Sequence, residues 1–132
     1  MAFDVSKFEI ADSAVMVVKN ERGDEILIDG ENVTIEFYSP GSKEGVRALR
    51  KAGKGAQMRL YRSMRGDMDQ NDAMAAEQEH AQKLADFTKK ISENFPIEPL
   101  ALYSNPKLGY IATQAGEFIS KYGNFPAGSS PN

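Results

Sequence analysis

The segment from Lys43 to Arg65 concentrates the residues with the clearest chemical potential in this chain. It holds eight basic residues against one acid, Glu44. Four of the basic residues recur within about two helical turns and can form a ridge along one helix face. These residues are Arg47, Arg50, Lys51 and Lys54. Such a ridge could contact phosphates and release their counterions, so nucleic acid is one ligand to weigh.

The segment that follows reverses the charge. Residues 67–98 contain eight acids and three lysines, and the whole chain carries a net charge of −3. Adjacent segments of opposite sign favour an antiparallel pair of helices, which would explain the basic run without any ligand. Tyr61 is the only aromatic residue in the basic run, so few rings are present to stack on bases. We therefore expect no nucleic-acid partner and keep a small nucleic-acid-binding regulator as an alternative.

Residue types for catalysis and metal binding are scarce. Cysteine is absent, which excludes a thiol nucleophile and any metal site that contains cysteine. The single histidine, His80, has no evident partner and is expected to be a solvated helix residue. The glycine-containing stretches "GSKEG" and "GKGAQ" lack the spacing of a phosphate-binding loop. We predict a protein that is not an enzyme, with no catalytic residues, no cofactor and no metal.

Length and composition favour one soluble, intracellular domain. A chain of 132 residues fits a single core, which we place at residues 1–125, with a flexible tail at 126–132. No apolar run approaches the roughly 18 residues that a membrane helix needs. The first residues lack the order of a secretion signal, and the absence of cysteine suits a reducing cytoplasm.

The N-terminal part predicts a small antiparallel β-meander, at about residues 14–38. Residues 14–28 are two runs rich in β-branched residues around a turn, which indicates a hairpin. The stretch "VTIEFY", residues 33–38, alternates strictly and is the clearest strand. Pro40, Gly41 and Ser42 then form a corner, in which Ser42 is the expected N-cap of a helix.

The remainder, residues 43–122, predicts three or four helices packed on that meander, which gives an α+β fold. Gly53 and Gly55 favour a bend or break in the first helix. Apolar spacing predicts a second helix over 71–95, ended by the prolines that follow. Asn105 and Pro106 open a last helix with an apolar stripe that ends in Tyr122, and Gly123 is its expected stop.

Two stretches resemble small tail-gene proteins of tailed bacteriophages and prophages. In "VTIEFYSPGSKEGVRALRKAGKGAQMRL" a strand leads through a proline-glycine-serine-lysine corner into a basic, alanine-rich helix. In "LALYSNPKLGYIATQAGEFISKYGNF" an asparagine-proline step opens a helix with a glycine-aromatic-isoleucine-x-x-glutamine motif, and the stretch closes on glycine-asparagine-phenylalanine. Together the two stretches place the resemblance at roughly residues 28–125.

The resemblance implies a phage tail assembly chaperone in the host bacterial cytoplasm. Proteins of that family coat the long helical tape measure protein during viral morphogenesis and help to recruit tail tube subunits around it. The alternative within the same gene neighbourhood is a minor structural tail protein of the virion. We expect no membrane partner, since the sequence has no long apolar run, and possible self-association is left open.

A chaperone of this kind should bind its partner through its helices rather than through the meander. Apolar residues that exceed what a core needs are candidates for that surface, because they could cover apolar stripes of a partner. They are Met58, Leu60, Tyr61, Met64, Tyr110 and Phe118. The basic residues Arg47, Arg50, Lys51 and Lys54 would then steer an acidic partner.

Overall fold

A computed structural model describes residues 5–66 and 70–127 of the chain. The expected tail from 128 to 132 lies outside the described residues. The strands are β1 (Ser13–Val17), β2 (Leu27–Ile28), β3 (Glu31–Asn32), β4 (Thr34–Tyr38) and β5 (Thr88–Ile91). The helices are α1 (Lys43–Met64), α2 (Gln70–Phe87), α3 (Pro99–Ser104) and α4 (Gly109–Ser120), with short 3-10 turns at Val5–Phe8, Pro106–Leu108 and Tyr122–Asn124. Antiparallel strands followed by helices confirm the predicted α+β class.

The main sheet has three antiparallel strands in the order β1-β4-β5, which differs from the expected meander. β4 is central, and the buried side chains of Ile35 and Phe37, with Val33 just before the strand, follow the predicted alternation. The stretch expected as the middle strand instead pairs β2 with β3 in a separate two-stranded ladder. Asp29 and Gly30, with φ of 54° and 79°, form the tight two-residue turn that holds this ladder.

The prediction of one helix over 71–95 is wrong at its C-terminal end. α2 ends at Phe87, and the next four residues form β5 along the free side of β4. The Thr88 hydroxyl donates to the carbonyl of Leu84 at 2.8 Å and shares a 2.7 Å hydrogen bond with the Tyr103 hydroxyl. Ile91 pairs with Ile35. Tertiary pairing therefore overrides the helical pattern at this point.

The predicted break in α1 is also wrong, because the helix is continuous through Gly53 and Gly55. α1 packs along α2, and a Cβ atom at Gly55 would lie 3.1 Å from the carboxyl carbon of Glu79 on α2. A Cβ atom at Gly53 would meet nothing within 4 Å. Packing of the helix pair thus maintains helical geometry where propensity alone disfavours it.

The corner before α1 is built as predicted. The Ser42 hydroxyl accepts from the amide of Gly45 at 2.9 Å and donates to the carbonyl of Ser39 at 2.7 Å, so Ser42 is the N-cap. Gly45 itself is buried, and a Cβ atom there would collide with the Ser39 carbonyl oxygen. The corner and the first helical turn of α1 are therefore in direct backbone contact.

The C-terminal elements close the core. The Asn105 side chain accepts from the amide of Lys107 at 3.0 Å, which confirms a cap, although it opens a 3-10 turn that leads into α4. α4 ends at Ser120, before the expected stop at Gly123, and Tyr122 is exposed rather than part of the apolar stripe. The short helix α3 was not predicted.

Aromatic rings join α4 and the chain end to the sheet. The ring centroids of Phe37 and Phe118 lie 5.7 Å apart, and those of Phe118 and Phe125 lie 5.5 Å apart in an edge-on arrangement. Phe125 is fully buried, and its carbonyl accepts from the amide of Ala11 at 3.1 Å. The core therefore unites the two ends of the described chain.

Candidate partner-binding surface

Helix α1 has three faces that differ in composition. The first, which we name the packing seam, consists of small residues. Gly45 and Ala48 are buried, Ala52 and Gly55 are partly buried, and their spacing of three, four and three places them on one side of the helix. This side packs against α2. Because glycine and alanine carry little side chain, the backbones of the two helices can approach closely.

A second face, which we name the apolar stripe, lies about a third of a turn from the seam. Its members lie on one side of α1 as two pairs separated by about three helical turns, and all of them are exposed. They are Val46, Leu49, Leu60 and Met64. Leu60 is 62% exposed and Met64 is 79% exposed. Burying a side chain of this size stabilises a complex by about 1.5–3 kcal/mol before the costs of association, so the stripe favours a partner.

The third face, which we name the cationic ridge, is formed by Arg47, Arg50 and Lys54. All three side chains are exposed, and they lie about a third of a turn from the apolar stripe. The neighbouring Lys51 lies nearer the seam, where its Nζ is 3.4 Å from Oδ2 of Asp86 on α2. The opposite charges of the two segments thus meet in this ion pair between α1 and α2.

Met58 and Tyr61 extend the ridge toward the end of α1. Both side chains are exposed, and the guanidinium carbon of Arg65 lies 5.5 Å from the centre of the Tyr61 ring. This is the geometry of a cation–π contact, worth about 0.5–1 kcal/mol at an exposed site. All eight α1 residues that the sequence predicted as contacts therefore lie outside the packing seam. Lys51 is the one that lies beside it.

Tyr110 and Phe118, the two remaining predicted contact residues, belong to α4. Both are partly buried and pack against the core. The Phe118 ring sits between Phe37 and Phe125, so only part of it is open to a partner. These two residues are not part of the α1 surface.

Sequence reasoning missed Val46 and Leu49 as members of the exposed stripe. Large apolar residues at helical spacing usually mark the side of a helix that packs, whereas the seam of α1 uses glycine and alanine instead. The signal that could have identified them is the run of small residues at 45, 48, 52 and 55. That run marks the side that packs, so the large residues between its members must face elsewhere.

Other chemistry is sparse in the described part of the chain. Among the described residues no three carboxylate or imidazole groups converge as a metal site would require. His80 is exposed on α2, as expected. None of the described helices combines the length and apolarity needed to cross a bilayer. A polar cleft of about 420 Å³ lies on the outer face of the sheet, lined in part by Glu36, Lys90 and Ser92.

Searches among protein-family models, curated proteins and solved structures found no match for this chain.

Proposed function

We propose that this chain is a phage tail assembly chaperone that uses the outward faces of α1 to cover an apolar stripe of the tape measure protein. The observation that supports this most is the exposure of Leu60 and Met64 on a helix whose other side is packed against α2. Large contiguous apolar patches mark interaction surfaces, and Leu60 and Met64 adjoin each other one helical turn apart. Action in the host cytoplasm and recruitment of tail tube subunits follow from the family resemblance.

The size of the surface suits repeated and reversible binding. Four apolar side chains and a short ridge give modest affinity for each copy, because association costs offset most of the gain from burial. Many copies on one long rod would nevertheless keep the rod covered, since each bound site is one of a repeated series. Weak individual contacts would also allow release when tube subunits polymerise around the rod.

Co-expression with the long, coiled-coil-rich protein encoded nearby tests the proposal. Affinity purification followed by light scattering should show a soluble complex with many copies per rod. The double variant Leu60→Asp and Met64→Asp should abolish the complex, because carboxylates would be buried against apolar side chains. Circular dichroism should show that this variant stays folded.

A matched control places the same substitutions elsewhere. Leu27 and Tyr122 are 61% and 65% exposed and lie off α1. Leu27→Asp with Tyr122→Asp should leave the complex intact. If the folded, soluble partner fails to bind the wild-type chain, or if both double variants bind equally well, the proposal is overturned.

Two alternatives have their own measurements. A minor structural tail protein would be detected in purified virions by mass spectrometry, whereas a chaperone would be absent from them. The exposed cationic ridge favours a nucleic-acid-binding regulator as the second candidate. That function requires binding that weakens steeply with salt and is lost when Arg47, Arg50 and Lys51 are replaced by alanine.

A further inference from the structure

The charged side chains that the structure describes beside the apolar stripe lie on one side of it. The cationic ridge borders the stripe on one flank, while the described side chains on the other flank are those of Ala56 and of Ala52, which also belongs to the packing seam. Among the described side chains, none is close enough to form an ion pair with Arg47, Arg50 or Lys54. The ridge therefore places three cations, without an ion-pair partner among the described side chains, along one border of the apolar stripe. This asymmetry indicates the charge that a partner should carry on the facing side.

The length and backbone of the surface indicate a helix as the occupant. From Val46 to Met64 the stripe runs about 27 Å, or five helical turns. Every residue of α1 in this range is helical, so α1 offers no open strand edge to a partner. An extended segment laid on α1 would leave its own backbone groups without partners, whereas a helix brings them already satisfied.

We propose that the outward face of α1 binds an amphipathic helix of about five turns whose flank beside the cationic ridge carries aspartate or glutamate. This inference rests on the proposed function, because it specifies the partner of the same surface. The partner's apolar residues lie along Val46, Leu49, Leu60 and Met64, and its carboxylates face Arg47, Arg50 and Lys54.

A second copy of this chain does not fit these requirements. If two α1 helices packed antiparallel with their stripes overlapping, each ridge would lie beside the Met58 and Tyr61 end of the other helix and gain no counter-charge. If they packed parallel, each ridge would face the alanine flank of its neighbour and gain no counter-charge. The charge pattern therefore favours a different, acidic helix over self-association through this face.

Three designed helical peptides of about five turns test the inference with the full-length chain. They share one apolar stripe and differ only on one flank, which carries glutamate, glutamine or lysine. Fluorescence anisotropy should give the affinity order glutamate, glutamine, lysine, with about a tenfold difference between the first and the last at low salt. The difference should shrink as salt is added, because exposed charges are screened.

Charge reversal on the protein sharpens the test. The triple variant Arg47→Glu, Arg50→Glu and Lys54→Glu should invert the order, so that the lysine peptide binds best. A control variant, Lys7→Glu, Lys107→Glu and Lys121→Glu, makes the same change in net charge at exposed positions off α1. It should keep the original order, which separates a local ridge from the charge of the whole protein.

The outcomes of this experiment are independent of the co-expression result. Equal affinity for the three peptides, or an inversion by the control variant, overturns the inference even if the natural rod is bound. Tighter binding of the wild-type chain to anionic lipid vesicles or to single-stranded DNA than to the glutamate peptide also overturns it. If the three peptides bind in the predicted order of affinity but the long, coiled-coil-rich protein does not bind, the inference is retained and the proposed partner is overturned.

Discussion

The sheet with the elements packed on it, here called the body, and helix α1 place their large apolar side chains in opposite ways. In the body, Phe37 and Phe125 are fully buried, and the rings of Phe37, Phe118 and Phe125 form a continuous contact. In α1 the buried positions are glycine and alanine, while Leu60 and Met64 point into solvent. The body thus buries its large apolar side chains, whereas α1 leaves several of its own exposed to solvent.

The largest expected effect lies in the body, close to the end of the described chain. Phe125→Ala removes a fully buried ring that packs on Phe118, and it should lower the free energy of unfolding by about 3–5 kcal/mol. Tyr122→Ala, three residues earlier and 65% exposed, should change it by less than about 0.5 kcal/mol. Urea denaturation of both variants measures the difference, and equal effects would mean that the chain end is not part of the core.

A second effect should appear at high pH. Burial raises the pKa of the Tyr103 hydroxyl from 10.0 to about 12, partly opposed by its hydrogen bond to Thr88. Because the folded state has the higher pKa, its contribution to stability is complete below pH 10 and is lost as the pH rises toward 12. Between pH 9 and 12 the wild type should lose about 2–3 kcal/mol more than Tyr103→Phe. Parallel pH profiles of the two proteins would contradict this.

The smallest effects compare two glycines of α1 that receive the same substitution. Gly45→Ala should destabilise the protein by about 1–3 kcal/mol, because the new methyl group meets the Ser39 carbonyl and the Phe87 ring. Gly53→Ala should stabilise it by about 0.5–1 kcal/mol, because the position is open and alanine favours the helix. Thermal unfolding followed by circular dichroism gives both signs. A loss of stability in Gly53→Ala would show that this side of α1 is more crowded than its exposure indicates.

The parts of the fold that sequence could predict are those in which local preference and tertiary packing agree. The alternation in β4 and the Ser42 cap are of this kind. β5 could not be found, because Thr88 continues the helical pattern and its strand geometry comes from pairing with a partner about fifty residues away. The break expected at Gly53 and Gly55 failed for the complementary reason, since packing on α2 overrides low helix propensity.

Part of the candidate surface could also be predicted from composition. Met58, Leu60, Tyr61 and Met64 exceeded what a core of this size needs, and the structure exposes all four. Their role in binding a partner stays a prediction. The division of α1 into three faces depends on which side α2 covers, and that side is set by tertiary packing.

The motif residues that carry the family resemblance have architectural contacts in this structure. Gln114 accepts from the Lys19 amide at 2.9 Å and donates to the Lys19 carbonyl at 2.7 Å, so it joins α4 to the end of β1. The Asn124 side chain donates to the Phe118 carbonyl at 3.0 Å, and Phe125 fills the core. These contacts explain why such residues would specify a fold, and they leave the outward faces of α1 free to vary with the partner.

The connection between β4 and β5 has a consequence for how this protein could change in size. The chain leaves the sheet after Tyr38 and returns at Thr88, whose position pairs with Phe37 on the adjacent strand. Residues 39–87 are therefore an insertion between two neighbouring strands, and closing such an insertion costs only about 0.6 kcal/mol more for each doubling of its length. Its outer turns could be lengthened or shortened in whole helical repeats while the sheet stays intact. The length of the α1–α2 pair can thus be adjusted separately from the sheet that supports it.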